Sequence, residues 1–177
     1  MATPTKRVYW DACVWIALIL REKITLPNGG IEDRDTMCRM VIEAAEKGSF
    51  EILTSTFCLV EVCKTPADKK LTSDKLADFF ENDYILITNL DRMVAERGRE
   101  LMVRHPGLKP ADAVHVATAA VSPGVEEMHT FDDRLLGLNG AVDKAGGSKL
   151  KICKPDAGAP PAPLLEAMHG GKSEDKK

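Results

Sequence analysis

The sequence predicts an α/β fold in three layers, with a central, mainly parallel sheet covered by helices on both faces. Three observations predict it. Short β-branched and aromatic runs alternate with stretches of helical spacing along most of the chain. The strong breakers fall at the ends of these units, as at Gly48, Pro66 and Pro106-Gly107. Finally, 177 residues that are 44% hydrophobic can build one ordinary core but not two. Strands that alternate with helices of this length pair in parallel, because each helix carries the chain back across a face of the sheet.

Each element has a local reason. Arg7 to Trp10 reads as a strand that stops at Asp11 and runs into an apolar helix, Ala12 to Leu20. Residues 22–35 contain Pro27, Asn28, Gly29 and Gly30 and read as a long loop. From Thr36 to Lys47 the positions Met37, Met40, Val41, Ala44 and Ala45 recur at helical spacing before Gly48. Glu51 to Thr54 is the second strand, and Ser55 or Thr56 then caps a helix to about Lys64. Ser73 to Glu81 suggests another helix and Tyr84 to Thr88 a third strand. Asp91 to Arg104 is amphipathic and charged; Pro110 opens a helix to Ala120, since the first turn tolerates a missing N–H. Met128 to Thr130 and Leu150 to Cys153 complete the strands, the latter at an edge.

Composition narrows the function. A net charge of −3 with pI near 5.8 argues against nucleic-acid binding by bulk positive charge, so any phosphate contact must be local. No apolar run is long enough to span a bilayer and the amino end lacks a leader-like pattern, so the expectation is a cytoplasmic protein with no membrane association. Cys13, Cys38, Cys58, Cys63 and Cys153 fit neither a disulfide framework nor paired zinc-ligand spacings, and read as reduced small hydrophobes. Residues 1–153 form the expected domain. Residues 154–177, rich in proline, alanine and glycine, form a tail whose Leu164, Leu165 and Met168 make a short apolar stripe in need of a surface.

Four acids occupy positions that such a sheet brings to one edge. Asp11 and Asp132 leave strands at their carboxyl ends, where open α/β sheets bind ligands; Glu61 lies in the helix after the second strand, and Asp112 starts a helix. Singly, Asp112 can complement a helix amino terminus and Asp132 can open a turn. Glu61 has no such role. Asp11 sits among Trp10, Ala12, Cys13 and Val14, and Glu61 among Phe57, Leu59, Val60 and Val62. Buried carboxylates protonate or find a cation, yet neither local segment offers lysine, arginine or histidine. A divalent ion answers this, and an all-oxygen site suits Mg²⁺ or Mn²⁺ better than zinc.

From about Arg7 to Cys153 the chain resembles the PIN-domain nucleases. The resemblance rests on the strand ending in Asp11, the Thr54-Ser55-Thr56 strand end with Glu61 in the helix that follows, the stretch from Lys109 to Ala119 with Asp112 followed by His115, and Thr130-Phe131-Asp132. Within that family it looks most like the VapC-type ribonuclease toxins of toxin-antitoxin pairs. The resemblance implies a PIN-like domain in which Asp11, Glu61, Asp112 and Asp132 hold one or two Mg²⁺ (or Mn²⁺) ions. It implies hydrolysis of RNA to 5′-phosphate and 3′-hydroxyl ends, a homodimer, and a small antitoxin partner. Asp133 adjoins Asp132, and Thr130, two residues earlier, matches the family pattern better for Asp132. Ser55, Thr130 and Asp133 are the candidates for supporting the ligands, and Lys64, Lys69, Lys70 and Arg134 for contacting RNA phosphates.

Other readings remain beside this one. His115 shares a helix face with Asp112, but a metal site needs no catalytic imidazole, so it reads as a packed structural histidine. Trp10 and Trp15 read as core. A stand-alone RNA-processing nuclease and a non-catalytic RNA-binding scaffold of the same fold are the alternatives to a toxin. A phosphatase with Asp11 as nucleophile would want a second aspartate where Cys13 stands, and a receiver domain would want a lysine after a later strand.

Overall fold

The structure, a computed structural model, describes residues 6–62 and 80–158. Five parallel strands form the central sheet: β1 (Arg7–Trp10), β4 (Glu51–Ser55), β5 (Ile85–Thr88), β6 (Val125–His129) and β7 (Lys151–Cys153), in the order β5-β4-β1-β6-β7. Among the described residues the helices are α1 (Ala12–Leu20), α2 (Arg34–Glu46), α3 (Thr56–Val62), α4 (Arg92–Arg104), α5 (Pro110–Val121) and α6 (Asp133–Leu136). The three-layer α/β/α fold expected from the sequence is the fold observed.

Strand alternation sorts the core into two halves. Val8, Trp10 and Ile52 face Val14, Trp15, Cys38, Val41 and Cys58 of α1, α2 and α3. Tyr9, Leu53, Met128 and Ile152 face Leu101, Val116 and Ala120 of α4 and α5 on the other side. A parallel strand buried on both faces needs apolar residues at every position, which is why Val8, Tyr9 and Trp10 are all fully buried. The central place of β1 puts the residue after it, Asp11, at the middle of the sheet's carboxyl edge.

Helix α1 is apolar almost all round because it lies in the core. It closes with Glu22 N–H on Ala17 O (2.8 Å) and Arg21 N–H on Leu18 O (3.2 Å), with Arg21 at a left-handed φ of 51°. This is a Schellman closure in which arginine stands where glycine is commoner.

The expected loop at residues 22–35 is instead a hairpin of two antiparallel strands, β2 (Lys23–Thr25) and β3 (Ile31–Asp33). Gly29, at φ 81°, takes the turn, and Asn28 Oδ1 accepts the Gly30 N–H at 3.0 Å. Each strand has three residues, too few to show a period of two, so the turn residues dominated the reading. Asp33 caps α2 through the Thr36 N–H, which starts that helix two residues earlier than its apolar spacing suggested.

Other boundaries shift by a residue or a few: β6 begins at Val125, and the fourth strand ends at His129 so that Thr130 lies just beyond it. The helix expected from Ser73 to Glu81 lies almost wholly outside the described residues. The described start of the tail packs on the domain, with Pro155 buried and Lys154 paired with Glu32 of the hairpin. Among the described residues the cysteines are free, and no helix is long and apolar enough to cross a membrane.

Candidate active site

Asp11, Glu61, Asp112 and Asp132 line one cleft at the carboxyl edge of the sheet, an open space of about 260 Å³ shared with Cys13, His115 and Leu135. Neighbouring strands β1 and β6 deliver Asp11 and Asp132, α3 delivers Glu61, and the first turn of α5 delivers Asp112.

Asp11 is only 3% exposed and caps α1, its Oδ1 accepting the Val14 N–H at 3.2 Å. The Cys13 thiol donates to the same oxygen at 2.9 Å, and the Thr130 hydroxyl donates to Oδ2 at 2.6 Å. Burial pushes the Asp11 carboxyl above its usual range, against the opposing pull of His115 and of these donors. Thr130 Oγ1 also accepts the Asp132 N–H at 3.0 Å, so one hydroxyl ties the two strand-end acids together. Burial, then the Asp11 charge, hold the Cys13 thiol well above the ordinary cysteine range, so it stays a proton donor. It also accepts the Phe131 N–H at 3.1 Å.

Asp112 is half-buried and forms no hydrogen bond or ion pair with a side chain among the described residues. Burial raises its pKa first and the Asp132 charge second, with Lys109, Arg134 and His115 opposing. Asp132 caps α6, its Oδ1 accepting the N–H of Arg134 at 2.7 Å and of Leu135 at 3.4 Å. The Asp132 charge opposes ionisation of Asp112, and a cation beside the two would relieve that repulsion.

Glu61 does have a partner. Its Oε2 lies 2.6 Å from His115 Nε2, and His115 Nδ1 lies 2.7 Å from the Tyr9 hydroxyl. With the ring proton on Nε2, facing the Glu61 carboxyl, Nδ1 accepts from the Tyr9 hydroxyl. His115 is packed, with rings of Tyr9 and Phe57 beside it at 6.0 and 5.7 Å, yet it also fixes one of the four acids. Local sequence reasoning missed this because it looked for a partner near Glu61 in the chain. The signal was His115 one turn after Asp112, on the helix that faces α3 across the cleft.

The remaining candidates separate. Thr130 touches Asp11 as described. The Ser55 hydroxyl instead accepts the Cys58 N–H at 3.2 Å, holding the start of the helix that carries Glu61. Asp133 is exposed and lines a different cavity, as does Arg134. Lys64, Lys69 and Lys70 lie outside the described residues.

Another cluster has ligand-like chemistry: Glu127, His129 and Cys153, with their donor atoms within 4.8 Å of one another. His129 Nδ1 accepts the Trp10 indole N–H at 3.0 Å, and an indole nitrogen only donates. The neutral ring therefore carries its proton on Nε2, facing Glu127 Oε1 at 3.3 Å, and Lys151 occupies the other Glu127 oxygen at 2.6 Å. No ring lone pair is left for a cation. The bond instead pins β1 to β6 one residue before Asp11 and Thr130.

The four acids of the cleft offer only oxygen, the deepest of them is raised by burial, and Asp112 lacks a side-chain partner among the described residues; these acids fit Mg²⁺ or Mn²⁺.

The chain matches the PIN domain family model over residues 8–139, and it belongs to the PIN-domain family. Among solved structures it is similar to VapC20 of Mycobacterium tuberculosis, described as a sarcin-ricin loop cleaving toxin. The two share 18% sequence identity at a TM-score of 0.51, over 71% of this chain and 89% of that one. That likeness extends to the fold. Comparison with proteins of curated function finds no match.

Proposed function

We propose that this PIN-domain protein is a Mg²⁺- or Mn²⁺-dependent endoribonuclease, and that it is the toxin of a toxin-antitoxin pair. The observation that carries the reading is the convergence of Asp11, Glu61, Asp112 and Asp132 on one cleft, with Asp112 in no side-chain hydrogen bond or ion pair among the described residues. Asp11 and Asp112 would hold the ion, with Glu61 and Asp132 completing its surroundings. A divalent ion bound there supplies Lewis-acid stabilisation of the charge that develops on a phosphodiester during attack by water.

The chain's own groups do the rest. Thr130 and Cys13 fix the Asp11 carboxylate from both oxygens. His115, itself held by Tyr9, fixes the orientation of Glu61. Ile16 and Leu135 give the cleft an apolar wall that limits water to the open side.

The RNA substrate and toxin role draw support from the activity described for the VapC20 neighbour. A cytoplasmic location, a homodimer and inhibition by a small antitoxin belong to the same reading. Incubating labelled single-stranded RNA with the protein in Mg²⁺, in Mn²⁺ or in EDTA tests it. The expected result is metal-dependent cleavage with 5′-phosphate and 3′-hydroxyl ends; no cleavage in either metal overturns the reading. Light scattering at tens of micromolar tests the dimer, and co-purification with the product of a neighbouring small gene tests the antitoxin.

A further inference from the structure

Beside the carboxylate cleft, across helix α6, lies a second cavity of about 430 Å³, lined by Arg104, His105, Leu108, Asp133, Arg134 and Leu138. The two spaces share α6 as a wall. Asp132 and Leu135 face the acids, while Asp133, Arg134 and Leu138 face the second cavity. The loop that forms its far side, from His105 to Lys109, runs directly into the first turn of α5, where Asp112 sits.

Charge sets this cavity apart. Lysines and arginines elsewhere on the described surface are largely taken up in ion pairs, as Lys6 with Glu126, Arg7 with Glu51, Arg34 with Glu22 and Glu32, Arg39 with Asp35, Arg97 with Glu100 and Lys149 with Asp143. Arg104 and Arg134 at the cavity, and exposed Lys109 at the end of its loop, enter no ion pair or side-chain hydrogen bond among the described residues. On a chain of net charge −3, unpaired cations gathered beside an acidic cleft answer the need for local phosphate contacts. Leu108 and Leu138 add apolar surface and His105 a ring, the mixture that receives a base between backbone contacts.

We propose that this cavity holds a nucleotide next to the scissile phosphate of single-stranded RNA, with Arg104, Lys109 and Arg134 on the flanking phosphates and the base against Leu108 and Leu138. It rests on the ribonuclease reading for the identity of the nucleic acid. Asp133, on the same lining, opposes a phosphate and tempers the affinity.

The test is fluorescence anisotropy of a short fluorescein-labelled single-stranded RNA with the full chain in EDTA, across a salt series, so that binding is read without cleavage. Both arginines are exposed, so their removal should leave the fold intact, which circular dichroism checks. The double variant Arg104→Ala/Arg134→Ala should bind about tenfold more weakly, and its slope of log affinity against log salt should be shallower by about 1.4, two single-strand phosphate contacts. Asp133→Asn should bind more tightly. The control Lys47→Ala/Lys144→Ala loses the same charge on other faces and should bind as the parent does.

Equal weakening by the control pair, or parent-like binding by the arginine pair, overturns the cavity assignment. Parent-like RNA binding by the arginine pair with loss of a protein inhibitor would make the cavity a protein-docking surface and overturn it too. If the parent binds RNA through these arginines yet never cleaves it in Mg²⁺ or Mn²⁺, the ribonuclease reading fails and no phosphate is scissile, while the cavity stands as a site for a nucleotide of single-stranded RNA.

Discussion

His115 Nε2 lies 2.6 Å from Glu61 Oε2, and this contact joins the helix that carries Asp112 to the helix that carries Glu61. Groups that orient a metal-holding carboxylate commonly change metal affinity or rate by about 10- to 100-fold when removed. His115→Ala should therefore slow RNA cleavage by about that factor with little change in KM for RNA. Tyr9→Phe, which removes the hydroxyl at Nδ1 and leaves the His115 ring in place, should lose less. Steady-state kinetics on variants of unchanged circular dichroism check this, and a His115→Ala enzyme with parental kcat contradicts the positioning role.

Asp112 should destabilise the metal-free protein. The Asp112 carboxyl is raised by burial and by Asp132, so the folded state binds its proton more tightly than the unfolded chain does. A raised carboxyl costs stability as pH rises through and above its unfolded value near 4, and the cost is absent well below that. Asp112→Asn in EDTA at pH 7 should raise Tm by roughly 1–2 °C, a small shift because the group is partly solvated. Added Mg²⁺ should then stabilise the parent more than the variant, by linkage. Thermal unfolding of both proteins with and without metal reads both signs, and a variant less stable than the parent in EDTA contradicts the argument.

Glu127 has the opposite sign. The His129 hydrogen bond, followed by Lys151, pulls its carboxyl down to about 2 against the effect of burial. Its stabilising contribution is complete above the unfolded glutamate value, about 4.3, and is lost as pH falls toward 2. Glu127→Gln should cost on the order of 2 kcal/mol at pH 7, allowing for the solvent that reaches Lys151, and the difference from the parent should narrow steadily below pH 4. Urea unfolding at pH 7 and pH 3 measures it; a difference that does not narrow at the lower pH contradicts the Glu127 network.

The sheet was legible because its strands are buried on both faces and read as apolar runs, with Val8, Tyr9 and Trp10 the clearest case. The hairpin at Lys23–Thr25 and Ile31–Asp33 was not, because its stability comes from pairing that three-residue strands do not advertise, reinforced by Arg34 bridging Glu22 and Glu32. Asp11, Asp112 and Asp132 were legible as acids at strand ends and a helix start, positions that topology brings together. The support of Asp11 by Cys13 was invisible for a different reason. It depends on a thiol turned back toward its own helix cap and locked there by the Phe131 N–H, a side-chain rotamer rather than a spacing. His115 was visible as a neighbour of Asp112, but its bond to Glu61 crosses 54 residues of chain, and only the packed helices reveal it.

The central claim is that the carboxylate cleft holds the ion on which RNA hydrolysis depends, and one measurement addresses it most directly. Cleavage of a 5′-labelled single-stranded RNA is followed for the parent and Asp112→Asn across a Mg²⁺ titration that begins in EDTA. Among the described residues Asp112 has no side-chain partner to lose, and the substitution keeps the volume of the side chain while removing its charge. The account predicts no parental cleavage in EDTA, a rate that rises and saturates with Mg²⁺, and a loss of at least about 100-fold in the variant. Parental cleavage that persists in EDTA, or a folded Asp112→Asn variant that cuts at the parental rate, would contradict it.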